Sequence, residues 1–374
     1  MATVEGQGVH GGASSMRMRL GERLAVTLFG TSHGPCVGAL LEGMPPGIAV
    51  EQERIEACMA QRRPGRGLGT KRTEPDVVRL ASGVHDGRTT GQPIMIEIEN
   101  ADVRTSDYSF LPNHPRPAHQ DLPMHVRTEG HADLNGGGSS SARLTAGLVA
   151  AGAIVRPLME ALGVHVVAHV GAIGPYEAPL PAPDTPWPTE AAALVRCQDA
   201  QAAEAMVNHV QDLKKERDSV GSRVDVAISG LPMGLGEPWF DGVEPALARA
   251  LLAVPGARAV EFGQGTRALT LRGSEHHGGW HPSSDGPELR TDVSEGALGG
   301  LASAADLVVR VTLKPPSSIP QPLPTVDLAT GEASSVSVKG RHDPVLAPRG
   351  VAVVEALATL VLADLALRGG YLND

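Results

Sequence analysis

Five short segments alternate apolar and polar residues with a period of two: Leu24–Phe29, Pro93–Glu99, His165–Ala172, Arg223–Ser229 and Leu307–Leu313. Side chains on a strand point to opposite faces in turn, so alternation predicts sheets covered on one face only. Helix-period stretches lie between them. Ser139–Leu162 sets Leu144, Leu148, Ala151, Val155, Leu158 and Leu162 on one stripe, with Pro157 predicting a kink. Glu51–Arg63 stops at Pro64-Gly65, and Pro245–Val254 and Val351–Arg368 complete the set, the latter closed by Gly369-Gly370. Strands and helices alternate too irregularly for a doubly wound parallel sheet, so the pattern predicts an α+β layered architecture. The stretches Pro175–Pro188 and Arg272–Asp292 read as surface loops. With no internal repeat and no linker, residues 18–374 are expected to form a single domain behind a disordered tail of residues 1–17.

Aromatic residues are 3% of the chain against 41% apolar, so the core must be built from Ala, Val, Leu and Ile. A formal net charge of −10 repels nucleic acid and anionic membranes. An anionic small substrate therefore needs a local basic pocket. Most of the positive charge is Arg, which grips phosphate and carboxylate in a bidentate manner. The first residues carry Glu5 and no apolar run, which argues against a signal peptide. The apolar run Val351–Leu367 is interrupted by Glu355 and Asp364, so no membrane span is predicted. Cys36, Cys58 and Cys197 are isolated, which suggests neither a zinc site nor a disulfide framework and fits a reducing compartment. His276, His277 and His281 lack partners at ligand spacing, so no metal is expected.

Several polar loops, fixed by Gly or Pro, close the predicted elements. Gly30-Thr31-Ser32-His33-Gly34 follows a strand, where an imidazole can face a cleft and move protons, or simply bond to backbone. Gln61 to Arg66, with Lys71-Arg72, is either an anion site or a solvated helix end. In Arg116-Pro117-Ala118-His119-Gln120-Asp121 a carboxylate two residues from the His can orient it; the plainer reading is ordinary surface. Asn135-Gly136-Gly137-Gly138-Ser139-Ser140-Ser141-Ala142-Arg143 opens the longest helix. It reads equally as a cradle of backbone N–H groups for an anion or as a Ser-capped helix start. It is not a P-loop, since no Gly-Lys-Ser/Thr follows. Lys314 to Ser318 and Lys339 to Pro344 place cations beside hydroxyls or a carboxylate.

In order, the segments Phe29–Pro46, Arg62–Asp76, Gly83–Gly91, Arg116–Asp121, Gly136–Thr145, Lys214–Gly221, Gly230–Pro238, Lys314–Ile319 and Lys339–Pro344 resemble the chorismate synthase family over nearly the whole chain. The resemblance implies a β-α-β layered sandwich with mostly antiparallel sheets, typically a cytoplasmic homotetramer. It implies 1,4-anti elimination of phosphate from 5-enolpyruvylshikimate 3-phosphate with reduced FMN (FMNH2) as cofactor and no net redox change. No nucleotide fingerprint for NADP is visible, so an external flavin reductant is expected. By the same resemblance His33 protonates reduced flavin, His119 protonates leaving phosphate, and Asp343 assists removal of the substrate hydrogen. Flavin contacts fall on Ser139, Ser140, Ser141, Pro255, Gly256, Gly299, Lys314, Pro315, Pro316, Ser317, Ser318 and Arg341. Arg62, Arg143 and Arg341 hold the substrate's phosphate and carboxylates.

The chain departs from the family pattern at Thr31, Ala118, Gln120, Asn135, Ser139, Leu144 and Asp292. The changes at Asn135 and Asp292 alter charge beside the expected site. They motivate a second reading, a diverged paralogue acting on a related cyclohexene phosphate. A third is a non-catalytic flavin-binding protein, against which His33, His119 and Asp343 stand together.

Overall fold

The computed structural model describes residues 15–63, 68, 75–101, 105–183, 185–276, 278–284, 286–289, 295–338 and 343–372. Two five-stranded sheets face each other across a helical layer. The first contains β1 (Arg19–Leu20), β2 (Ala25–Gly30), β3 (Cys36–Glu42), β4 (Val78–Leu80) and β5 (Ile94–Glu99), in the order β1-β2-β3-β5-β4. The second contains β6 (His165–Ile173), β7 (Tyr176–Glu177), β8 (Ser222–Ser229), β9 (Ala257–Phe262) and β10 (Leu307–Leu313), in the order β9-β10-β8-β6-β7. Every pairing in both sheets is antiparallel. The helices are α1 (Gln52–Arg62), α2 (Asp121–Arg127), α3 (Thr145–Ala161), α4 (Glu190–Val195), α5 (Ala200–Glu216), α6 (Val243–Leu252), α7 (Gly273–His276) and α8 (Ala347–Arg368). Helix α3 lies against the first sheet, α8 against the second, and the two pack on each other. This is the α+β sandwich that the alternation and the resemblance imply.

Alternation becomes burial here. In the second sheet Val224 stands between Val311 and Val170, and Val226 between Val309 and Ala168. All of these are buried, while Arg223 and Arg310 of the same strands are not. Among the described residues the buried core holds no aromatic ring. Small residues therefore set the spacing between layers. A Cβ on Gly152 of α3 would lie 2.6 Å from the Ala356 Cβ of α8. One on Gly147 would lie 2.8 Å from the Gly38 backbone of β3.

The segment Ala142–Ala161, which contains α3, and helix α8 are apolar and long enough to cross a membrane by length and composition alone. In the fold 78% and 94% of their apolar windows are buried. The two charges that interrupt the α8 run are cross-links. Glu355 accepts from Arg156 of α3 and from the Ala168 N–H of β6 (3.2 Å). Asp364 accepts from the backbone N–H groups of Glu22, Arg23 and Leu24 at 2.8–3.2 Å.

Some elements differ from expectation. Only Thr145–Ala161 of Ser139–Leu162 is α-helix, and it runs through Pro157 unbroken; the residues before it form 3₁₀ turns over Asn135–Ser140 and Ala142–Leu144. Strands β3 and β9 and helices α2, α4 and α5 are additions. Gly38 interrupts the pattern of β3, and the extra residue at Arg258 breaks the register of β9. The expected loops contain β7 at one end and, in Arg272–Asp292, α7 with the hairpin Trp280–Ser283/Gly286–Leu289. The N-terminal residues 1–14, the stop at Pro64-Gly65, and Asp292 lie outside the described residues.

Replacing Asp364 by Ala strips three amides of a charged acceptor, and buried donors left unpaired are costly. We expect a loss of about 3 kcal/mol, read as a lowered Tm in thermal unfolding.

Candidate active site

The centre of the site is a stretch of backbone. Gly136, Gly137 and Gly138 have φ of +61°, +95° and +54°, left-handed values that side chains other than Gly's rarely tolerate. A Cβ on Gly136 would come within 2.2 Å of the His33 ring, and one on Gly138 within 2.0 Å of Asp133 O. At Gly137 it would touch the His119 ring at 3.5 Å. Two imidazoles thus rest on neighbouring glycines.

His33 sits in the turn after β2. The Ser32 hydroxyl donates to Asn135 O (2.9 Å) and lies 3.1 Å from His33 Nδ1, while Ser32 N donates to Gly138 O (3.2 Å). A hydroxyl has one proton to give. Nδ1 therefore carries the hydrogen of the Ser32–His33 bond. The edge of His33 meets the Tyr108 ring at 5.1 Å.

His119 is held from the other side. Its Nδ1 lies 2.7 Å from Asp121 Oδ1, and Arg116 grips the same carboxylate through Nε and Nη2, each at 2.7 Å. Burial works against ionisation of Asp121, but hydrogen bonds from Arg116 and His119 and their charge outweigh it. They hold the carboxyl well below the usual range. The Arg116 guanidinium stacks over the Tyr108 ring at 5.4 Å. Tyr108 thus joins the two histidine clusters, and no sequence motif had singled it out. Gln120 donates to Gly137 O (3.0 Å), tying the His119 loop to the glycines. Ala118 O accepts from Lys314 Nζ and Ser317 Oγ, and Lys314 N donates to Gly256 O. The Lys314–Ser318 segment therefore borders the same place.

Arginines gather next to this. Arg62 and Arg143, both buried, share Asp76, which stands 3.5 Å from Arg62 and also bonds Arg143. Arg143 further donates to Asn100 Oδ1 (2.8 Å) and Glu99 O (3.0 Å), so each guanidinium nitrogen has a protein acceptor. Arg62 lines a small cleft of about 60 Å³ with Ala142, Pro255, Asp343 and Arg349, where Arg349 donates to Asp343 at 2.7 Å. Asp343 thus shares this cleft with Ala142, at the end of the glycine-to-helix segment. Nearby Arg196 bonds Arg63 O, and burial with Arg349 beside it lowers its pKa to about 10.

A cavity of about 440 Å³ shares Thr145, Val254 and Pro255 with that cleft. Ser139, Ser140 and Ser141 line it, with Val26, Leu28, Leu144 and Leu148 as apolar wall and Arg17, Arg19 and Arg249 as cations. Gly299 lies elsewhere: its neighbour Gly300 accepts from Val243 N at the start of α6, about 15 Å of helix away from Pro255. Arg341 lies outside the described residues. A wider groove of about 770 Å³ beside β1 and α8 contains none of the residues singled out for chemistry.

The Asp121 carboxylate stabilises the fold above the unfolded carboxyl pKa of about 4. That contribution is lost as pH falls toward its depressed folded value. Asp121→Asn should flatten the acid limb of a denaturation curve measured between about pH 5 and pH 2.

The family model for chorismate synthase matches residues 24–367. The chorismate synthase of Aeropyrum pernix is 45% identical over 355 residues, covering 94% of this chain and 93% of that protein. That of Methanopyrus kandleri is 40% identical over 368 residues, covering 95% and 94%. A crystal structure of chorismate synthase superposes with a TM-score of 0.71 at 24% identity, covering 93% of each chain, a likeness of fold. The chain belongs to the chorismate synthase family.

Proposed function

We propose that this chain converts 5-enolpyruvylshikimate 3-phosphate to chorismate by 1,4-anti elimination of phosphate, with reduced FMN bound. The observation that carries the proposal is the pair of imidazoles seated on Gly136 and Gly137, one of them oriented by a buried carboxylate.

The residues present suit the flavin. The cavity beside Ser139–Ser141 and Pro255 offers an apolar wall for a flat ring and arginines for a phosphate. We assign Ser139, Ser140, Ser141, Pro255, Gly256 and Lys314 to Ser318 to holding it. When bound, reduced flavin supplies electron density to an allylic centre losing phosphate, which no side chain can do.

In the reaction the C–O bond to phosphate and a ring C–H bond break, and a new C=C bond forms. Phosphate leaves with the electrons of its C–O bond. His119 holds a proton at Nε2 for the departing phosphate, with Nδ1–H donated to Asp121 so that the ring cannot turn. Asp343, steadied by Arg349, is the carboxylate that assists removal of the ring hydrogen. His33 holds a proton on the cofactor side. Arg62 and Arg341 take the substrate's anionic groups. Arg143, its nitrogens turned to Asp76, Glu99 O and Asn100, shapes the wall beside them.

The diverged and non-catalytic readings are not favoured. Asn135 spends its side chain on Asp133 (2.9 Å) and its carbonyl on Ser32, a local structural use. Three free cysteines fit a cytoplasmic setting. We further propose a homotetramer and an external flavin reductant.

Anaerobic assay with chemically reduced FMN should release phosphate and chorismate in equal amounts. Bound flavin without phosphate release would overturn the reading. His119→Ala should lower kcat by about 100- to 10,000-fold with little change in KM. Intact turnover in that variant would remove His119 from the proton path.

A further inference from the structure

Asn100 follows the last residue of β5, and both polar atoms of its side chain bond within the site. Nδ2 donates to Thr31 O (3.0 Å) and to Gly34 O (2.8 Å), the carbonyls on either side of Ser32-His33. Its backbone N–H donates to Pro35 O (3.1 Å). Its Oδ1 accepts from Nε of Arg143 (2.8 Å). We infer that Asn100 is a positioning residue that fixes the His33 turn and the Arg143 guanidinium in one frame.

The chemistry of the position demands a primary amide. Two carbonyls require two N–H donors from one nitrogen, and the guanidinium requires an acceptor on the same planar group. Asp is isosteric but sets an oxygen against two carbonyl oxygens, while its other oxygen still serves Arg143. Ser offers a single donor. The turn is closed by the backbone hydrogen bond from Gly34 N to Thr31 O (3.2 Å). Ser32 ties it to the glycine loop on one side, and Asn100 ties it to the sheet on the other. With Asn100 gone the turn loses both side-chain ties at Thr31 O and Gly34 O. A misplacement of about 1 Å at a proton-transferring group costs about 100-fold in rate.

The catalytic consequence rests on the proposed reaction; the tie itself does not. Two readouts separate them on the full chain. In Asn100→Asp, hydrogen exchange of residues 31–35 should quicken at least about tenfold, as expected when a local hydrogen-bonded tie opens, while residues 222–229 of β8 stay protected. In turnover, Asn100→Asp should lose about 100-fold in kcat with KM within about threefold, because Arg143 keeps its acceptor. Asn100→Ala should also raise KM. Exposed Gln92→Ala, before the same strand, should change neither readout. Unchanged protection at residues 31–35, or kcat of Asn100→Asp within about twofold of wild type against the expected loss, overturns the inference. Wild-type chain that binds reduced FMN and releases no phosphate overturns the proposed reaction instead, and the exchange data then decide the tie alone.

Discussion

Two imidazoles can stand side by side in this protein because the backbone beneath them has no Cβ. Gly136 and Gly137 take left-handed conformations, and the first is pressed so closely by His33 that no side chain fits. Everything else in the site is arranged around that bare strip. Ser32 and Gln120 hydrogen-bond to its carbonyls from opposite sides, and Tyr108 fills the space between the two histidine clusters. A short loop thus becomes rigid through contacts from distant parts of the chain, which is what proton transfer at fixed distance requires.

The surrounding charge follows one economy. Buried arginines are costly unless their hydrogen bonds are met. Arg143 and Arg116 are both satisfied internally, by Asp76 with Asn100 and by Asp121. Arg17, Arg19 and Arg249 stand around the larger cavity. A net acidic chain can in this way present a basic interior to a polyanionic ligand.

Much of this was legible beforehand. The strand Leu307–Leu313 emerges with the bounds its alternation predicts, and its pairing with β8 runs unbroken along its whole length. The first sheet was harder to read: Gly38 blurs the pattern of β3, where a Cβ would strike the Phe29 ring at 2.4 Å and Ile96 O at 2.1 Å. The histidine motifs and the glycine loop could be singled out as types of residue in turns. Tyr108 and Asn100 could not, since a lone Tyr or Asn carries no spacing signature and acquires meaning only from partners far away in sequence. The glycine loop also looked like a helix start. Three successive left-handed glycines and the extended Ser141 keep a helix from forming across the loop, and a 3₁₀ turn at Ala142–Leu144 leads into the α-helix at Thr145.

The last helix of the chain is also the innermost. Helix α8 lies between α3 and the second sheet, and through Asp364 it grips the turn before β2, some 340 residues earlier. During synthesis the first sheet and the helix α3 that covers it leave the ribosome long before the helix that packs on α3 and fastens the sheet's edge. Closure of the sandwich must therefore wait for the C-terminal end to emerge. Such sequence separation slows folding and leaves apolar strands bare meanwhile. A truncation at the C-terminus accordingly removes the centre of the molecule and not its margin.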